Sequence, residues 1–402
     1  MKTILFVGAG RHQRRAIIQA RGRGLRVVAV DRNAQAPGLA AAEVAEVVDF
    51  ADVDAVVEVA RRHGVDGVLT VSADRAVPVV AAVADALGLP SIGIETARRM
   101  TDKRSMREAL AATGVPQPSW AVVRTLSEAQ AALGQVGLPA VLKPVDSGGQ
   151  RGVFRIETPA DLEGHLTAAL AESAAGEAIL EGYLEGMELN GIVLARSGAA
   201  EVLTLSDRRR PPGPGFGVGW LHVFPHTVAG AQARRAEEVA VAAVEALGLR
   251  DGIAFPQLIV GRDGEPRVVE VAARIPGGQM ADLVLHAIGV DLVEIALRQA
   301  LGIEVTEEVA LPGFRQPLAI RFLTAQPGPL PVGRVTGVGS LDNVLAAEGV
   351  VQAETYLEVG ETIRPVQRDG DRRGYVIAIG DTGAEAVERA DRAAALLAVE
   401  VE

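Results

Sequence analysis

A lysine that closes an apolar run and is followed at once by small residues offers a phosphate both an ammonium group and free backbone amides. The segment Leu138-Pro139-Ala140-Val141-Leu142-Lys143-Pro144-Val145-Asp146-Ser147-Gly148-Gly149-Gln150-Arg151-Gly152-Val153 has this order, with Lys143 ending the run and Ser147, Gly148 and Gly149 in the loop behind it. It is not a Walker A loop, because the lysine precedes the glycines and no Gly-Lys-Ser/Thr closes it. A glycine turn inside a hairpin is the alternative; it would account for Gly148 and Gly149 but not for Lys143.

A second glycine pair, Gly8-Ala9-Gly10, follows the apolar run at 4–7, and Asp31 ends the run at 27–30. Together they imitate a dinucleotide-binding fingerprint, but Gln13 stands where the third glycine of G-x-G-x-x-G belongs. The expectation is a tight strand-to-helix turn that holds no nicotinamide. His222 and His226 flank Val223-Phe224-Pro225. Neutral imidazole near pH 7 permits general-base work, and a packed or exposed loop histidine is the plainer alternative. The basic run Arg208-Arg209-Arg210 is either a solvated turn or a patch that steers an anionic ligand.

These groups need elements to hold them. Through residue 95, short β-branched runs alternate with alanine-rich amphipathic stretches, the pattern of a parallel sheet with crossover helices. A helix is predicted over 97–113, ending at Gly114-Val115-Pro116. A strand at 140–143, a helix at 159–171 and a strand at 178–181 make a compact α+β lobe. Beyond the Pro/Gly-rich stretch 211–219 come a long helix at 231–247 and two strands, 255–260 and 267–271. Arg262-Asp263-Gly264-Glu265 has turn chemistry and joins those strands as a hairpin. After Leu301-Gly302 the chain turns to short strands and Gly/Pro turns and ends on a helix at 384–397, which reads as a third unit.

At 402 residues the chain exceeds one hydrophobic core, so two to four packed units are expected. A formal net charge of −11 argues against a nucleic-acid partner, which would need a basic face. There is no cysteine, so thiolate catalysis and a disulfide frame are excluded, in keeping with a cytoplasmic location. The apolar run at 4–7 is too short for a signal peptide or a membrane span, and no membrane partner is expected.

Three further segments stand in order around the Lys143 loop: Thr101-Asp102-Lys103; Ile179-Leu180-Glu181-Gly182-Tyr183-Leu184-Glu185-Gly186-Met187-Glu188; and Val268-Val269-Glu270-Val271-Ala272-Ala273-Arg274-Ile275-Pro276-Gly277-Gly278. The four together resemble the ATP-grasp carboxylate–amine ligases, and Glu270 to Arg274 read Glu-x-Ala-Ala-Arg as in the L-amino acid and dipeptide ligase subgroup. The likeness extends to Gly8-Ala9-Gly10-Arg11 with Gln13, to Ile288-Gly289-Val290-Asp291-Leu292-Val293 and to Gly374-Tyr375-Val376-Ile377-Ala378, so it covers nearly the whole chain. It implies an α/β protein with the ATP-grasp fold. A Rossmann-like domain at 1–95 would precede an ATP-grasp domain at 96–305, whose small lid lobe spans roughly 115–185, and an α+β unit would follow at 306–402.

The resemblance also implies roles. Lys103 and Lys143 would bind the α- and β-phosphates of ATP, and Ser147, Gly148 and Gly149 would close over the β- and γ-phosphates. Glu181, Tyr183 and Leu184 would meet the adenine, and Glu188 the ribose hydroxyls. Glu270 would hold Mg2+, and Arg274, with Lys143 the catalytic pair, would stabilise the transferred phosphoryl group. Arg274, Gly277, Gly278 and Gln279 would line the carboxylate site, with His222 on the substrate side; Asp207 and Arg208 are further candidates. Two positions depart from the family. Ala272 stands where many members have asparagine, as is usual in the dipeptide-ligase subgroup, and Gln257 takes the place of the first acidic metal ligand. An amide oxygen coordinates Mg2+ without negative charge, so metal affinity should fall.

The activity implied is ATP-dependent joining of a carboxylate to an amine through an acyl phosphate, releasing ADP and phosphate, with amino-acid-like substrates. A bicarbonate-using carboxylase of the purine-pathway or biotin type is the alternative, as is a nucleotide-binding protein whose catalysis has lapsed. The partners implied are small molecules and a second copy of the chain, paired through the first domain.

Overall fold

Thr3–Val7 is buried at all five positions and Arg26–Asp31 at its four inner ones, as strands covered on both faces require. They lie in a parallel four-stranded sheet of order Val44–Val47, Arg26–Asp31, Thr3–Val7, Gly67–Leu69. The computed structural model to which this sheet belongs describes residues 1–210 and 217–402. Most of the Pro/Gly-rich stretch singled out in the sequence therefore lies outside the described residues. Helices Arg11–Gly22 and Val53–His63 make crossovers, and Val77–Leu87 follows the last strand. Val53–His63 shows how local chemistry bounds them: Asp52 accepts from the Ala55 amide at 3.1 Å to start it, and Gly64, at φ 57°, ends it.

The helix predicted over 97–113 is two helices, Ile94–Arg99 and Lys103–Ala112. Asp102 breaks it. Its carboxylate accepts from the Ser105 amide at 2.7 Å, a cap that the alanine-rich periodicity around it conceals. The second helix therefore begins at Lys103, whose own amide donates to Val145 O at 2.8 Å beside the Lys143 strand.

Trp120–Val123, Ala178–Gly182, Ala140–Pro144 and Phe154–Ile156, in that order, form an antiparallel sheet backed by helices Leu126–Val136 and Pro159–Ala171. Facing it is an antiparallel sheet of eight strands. Its order is Pro266–Ala272, Gly252–Gly261, Gly186–Arg196, Ala199–Arg209, Leu221–Phe224, Leu318–Phe322, Gly374–Ile379 and Val350–Thr355. The hairpin of 11-residue strands near its middle, Gly186–Arg196 and Ala199–Arg209, was not predicted. Seven consecutive positions of the first are buried, so no period-two alternation marks it, and the second carries Ser206, Asp207 and Arg208 into the interior. The sheet takes in three strands from beyond residue 305. Other tail strands, Gly333–Val338, Thr362–Ile363 and Val399–Val401, pair with one another over a core of their own.

One core joins a face of the parallel sheet (Ile4, Phe6) to helices Met280–Ile288 and Leu292–Ala300 and to the large sheet at Leu318 and Ile320. The chain beyond Gly67–Leu69 is thereby seated on the loop after Pro266–Ala272: Val71 bridges Ile275, and the Ser72 amide donates to Ile275 O at 2.9 Å.

Candidate active site

Residues directly opposite one another on antiparallel strands point to the same face. Glu270 pairs with Gln257, Gln257 with Asn190 and Asn190 with Ser206, so four strands present one polar row. Arg208 pairs with His222. Arg208 Nη1 reaches Glu188 at 2.6 Å and Arg210 Nε lies 3.0 Å from the same carboxylate, so Glu188 is held by two cations.

Across from this face, Lys143 lies one residue before the end of Ala140–Pro144 and donates to Glu181 Oε2 at 2.7 Å. Arg107 Nε donates to Glu181 Oε1 at 2.8 Å, and its other nitrogens donate to Val268 O and Val269 O at 2.9 and 2.6 Å. Lys143, Glu181 and Arg107 are 6%, 3% and 1% exposed, so this cluster has little water to offset its charges. Burial pushes the Glu181 carboxyl upward, but Arg107 and Lys143 override it and hold the group at about 2. Burial, aided by Arg107 and Lys103 against Glu181, pushes the Lys143 ammonium below the ordinary lysine range.

The Ser147-Gly148-Gly149 loop is short of partners. Ser147 Oγ is buried with no hydrogen bond among the described residues, while Lys103 Nζ donates to Ser147 O at 2.7 Å and stands 3.6 Å from Glu270 Oε1. A Cβ on Gly148 would come within 2.8 Å of Asp74 Oδ2, so a larger residue there would have to displace that carboxylate, and Gly149 sits at φ 68°. A cavity of about 150 Å³ lies between the lobes. Lys143, Ser147, Gly148, Gly149 and the connection Glu181-Gly182-Tyr183-Leu184 line it from one side, and Glu188, Arg208, Gln257 and Glu270 from the other. Arg155 stacks over the Tyr183 ring, 4.2 Å from its centroid.

Arg274 does not line that cavity. Its Nε and Nη2 both lie 2.7 Å from Asp74 Oδ1, Nη1 is buried without a partner among the described residues, and the side chain lines a larger cavity of about 800 Å³ against the first domain. Asp74 nevertheless touches both Arg274 and the space above Gly148, which sets Arg274 beside the glycine loop. Gly277 faces Ser72, and a Cβ on Gly278 would stand 3.5 Å from His222 Nε2 and 3.7 Å from Arg372 Nη1. Gln279, at φ 57°, stands at the N-cap of Met280–Ile288. Arg372 stacks on Phe322 at 4.1 Å and pairs with Asp369 at 2.9 Å, and Arg11 stacks on Tyr356 at 4.3 Å.

His222 is buried, and burial with the nearby charges of Arg372 and Arg208 pushes its pKa well below the ordinary value. Asn190 Nδ2 lies 3.3 Å from its Nδ1, and its Nε2 faces Gly278. Asp207 points away from the site and accepts from the Thr227 amide and hydroxyl, each at 2.9 Å.

A hard divalent cation prefers carboxylate and amide oxygens. Gln257 Nε2 donates to Asn190 Oδ1 at 3.2 Å, which leaves its Oε1 for the cavity beside Glu270. That pair suits one such ion, and among the described residues no group of three or more His, Cys, Asp and Glu could hold a metal. Arg107, Asp74, Asn190 and Arg372 were not expected from the sequence. A signal existed for two of them: Arg107 is one helical turn from Lys103 on the same face, and Asp74 lies just past the carboxyl end of a parallel strand, where α/β sheets bind ligands.

Comparison with known proteins agrees along the chain. The carbamoyl-phosphate synthase L chain, ATP binding domain family matches residues 102–308, the ATP-grasp N-terminal domain residues 18–91 and the L-amino acid ligase C-terminal domain 2 residues 321–402. An uncharacterised protein of Sinorhizobium fredii is 30% identical over 363 residues, covering 86% of this chain and 72% of that protein. A formate-dependent phosphoribosylglycinamide formyltransferase of Ignicoccus hospitalis is 29% identical over 413 residues, covering 98% and 95%. The crystal structure of an L-amino acid ligase from Bacillus licheniformis shares the fold, with TM-score 0.84 and 22% identity over 100% of this chain and 99% of that one. With a domain family matched over more than half its length and a relative at 30% identity along most of it, the chain belongs to the ATP-grasp family of ATP-dependent, ADP-forming ligases, for which ATP and Mg2+ are the cofactors.

Proposed function

We propose that this enzyme uses ATP to phosphorylate a carboxylate and joins the activated acyl group to an amine, with amino-acid-like substrates. The observation that carries the reading is the position of Asp74, which touches both Arg274 and the space above Gly148. The glycine loop is thus set beside Arg274, and Gly277 lies against Ser72, two residues from Asp74, so a phosphoryl group leaving the loop would meet an acceptor held near Arg274 and Gly277. The relatives support the class of reaction: formate is named for one and amino acids for another.

In this reading Lys103 and Lys143 neutralise the phosphates, and Ser147 Oγ and the amides of Gly148 and Gly149 meet the transferring group. Glu181, Tyr183 and Leu184 receive the base and Glu188 the ribose. Glu270 and Gln257 hold the divalent cation, which supplies charge neutralisation to the phosphates. The carboxylate oxygen attacks the γ-phosphorus and ADP departs. An amine then attacks the acyl carbon, the carbon–oxygen bond to phosphate breaks, and the amine's proton ends on the released phosphate. Arg274 stabilises the transferred phosphoryl group, and His222 stands on the substrate side.

Phosphate release across a panel of amino acids, singly and in pairs, tests the reading. Release that needs both a carboxylate and an amine is expected. AMP and pyrophosphate as products would sink the acyl-phosphate route, and turnover on bicarbonate with no amine would replace the reading with a carboxylase.

A further inference from the structure

The three carboxylates that line the interlobe cavity are not equally available. Glu181 is held by Arg107 at 2.8 Å and Lys143 at 2.7 Å, and Glu188 by Arg208 at 2.6 Å and Arg210 at 3.0 Å. Each is neutralised by two cations. Glu270 is different: its cationic neighbour Lys103 stands 3.6 Å away, beyond hydrogen-bond reach, and its side chain is 33% exposed. Gln257 adds an amide oxygen, aimed by the bond from its Nε2 to Asn190.

A divalent cation here therefore finds one free carboxylate and one neutral oxygen, with phosphate oxygens and water left to complete its shell. Two ions bridging the same phosphates would sit within about 3.5–4 Å of each other, and their mutual repulsion must be offset by anionic ligands. Only Glu270 could offset it without stripping Glu181 or Glu188 of paired cations. Positive charge is instead already in place. Arg208 is 8% exposed, lines the cavity, pairs across the sheet with His222, and is close enough to add its charge to those acting on His222 and Arg372. Arg208 Nη2 also donates to Gly217 O at the edge of the same cavity.

We propose that this chain takes one divalent cation per bound nucleotide, between Glu270 and Gln257, and that Arg208 supplies the further positive charge at the phosphate end of the cavity. The inference rests on the nucleotide reading given above. It also gives Arg208 a choice of partner: Glu188 in the free protein, and the terminal phosphates once a ribose engages Glu188.

The test is Mn2+ binding, followed by electron paramagnetic resonance, to the full chain saturated with a non-hydrolysable ATP analogue. One Mn2+ per bound nucleotide is expected, rising to two in Gln257→Glu. Two in the unmodified chain would overturn the proposal, and so would a single ion in both proteins. Failure to bind the analogue at all would instead remove the nucleotide reading beneath it. For Arg208, affinity for the analogue should fall at least tenfold in Arg208→Met while affinity for ADP changes little, with Arg208→Lys restoring part of the loss. Equal losses for both nucleotides without rescue by lysine would mark Arg208 as a structural partner of Glu188 only.

Discussion

Two glycine turns close strands in this chain, and their polar atoms are treated in opposite ways. At Gly8-Ala9-Gly10 the turn is bonded from within. The Ala9 amide donates to Asp31 Oδ2 at 2.9 Å, Ala9 O accepts from the Gly38 amide at 2.7 Å, and the Gln13 side chain lies over both glycines and bonds to Val71 O. Gln13 thus fills the space that a third glycine would open for a pyrophosphate, and Asp31 is spent on the turn and on the Asn33 amide. Around Ser147-Gly148-Gly149, by contrast, Asp146 Oδ1 and Ser147 Oγ have no partner among the described residues, and two lysines converge on the loop. Glycine count does not separate the two turns. Unmet hydrogen-bonding capacity next to a cation does.

The sharpest break of this contrast is Lys143→Met. Phosphate release should fall about a thousandfold, as for loss of a group aimed at developing charge, while thermal unfolding stays cooperative; retained turnover would mean that the second turn is as inert as the first. Next in size is Arg107→Ala. Removing one partner of a buried ion pair costs about 3–5 kcal/mol, to be read from the urea midpoint, and a change under about 1 kcal/mol would show that the Glu181 cluster does not hold the lobes. Gln13→Gly completes the G-x-G-x-x-G pattern. It should cost about 1–3 kcal/mol for the buried groups left unpaired and confer no NADH binding by fluorescence titration; tight NADH binding would show that glycine count was decisive after all.

The smallest effect expected is a pH dependence of stability. The unfolded chain takes up a proton at His222 below about pH 6.5, whereas the folded chain resists it because burial depresses that pKa. The unfolded state then binds more protons, so stability is full above pH 6.5 and falls below it, by at most about 1.4 kcal/mol per pH unit. His222→Asn should flatten the curve between pH 6.5 and 5, and an unchanged slope would show that His222 is not the group responsible.

Much of this was legible because it is local. Lys143, its loop, the helix at Pro159–Ala171 and the Gly252–Gly261/Pro266–Ala272 hairpin all declare themselves within a few residues. What stayed hidden depends on partners far away in sequence. Arg107 reads as one more charge on an amphipathic helix until Glu181 is placed beside it, and Asp74 until Arg274 is. The central hairpin was missed because two buried faces remove the alternation that marks a strand. Glu188 is likewise paired with Arg208, 20 residues away, by the register of two strands that the sequence did not reveal.

Arg107 has a mechanical consequence. It clamps Glu181, at the end of Ala178–Gly182, to the carbonyls of Val268 and Val269 on the large sheet. That fixes a fulcrum. If the small sheet swings, the connection at Tyr183 and Leu184 beside the clamp travels least and the tip at Gly148 and Gly149 travels furthest. A molecule spanning the cavity would be gripped first at the still end and then struck by the moving one, so the length of the stroke, and the time it takes, belong to the glycine tip.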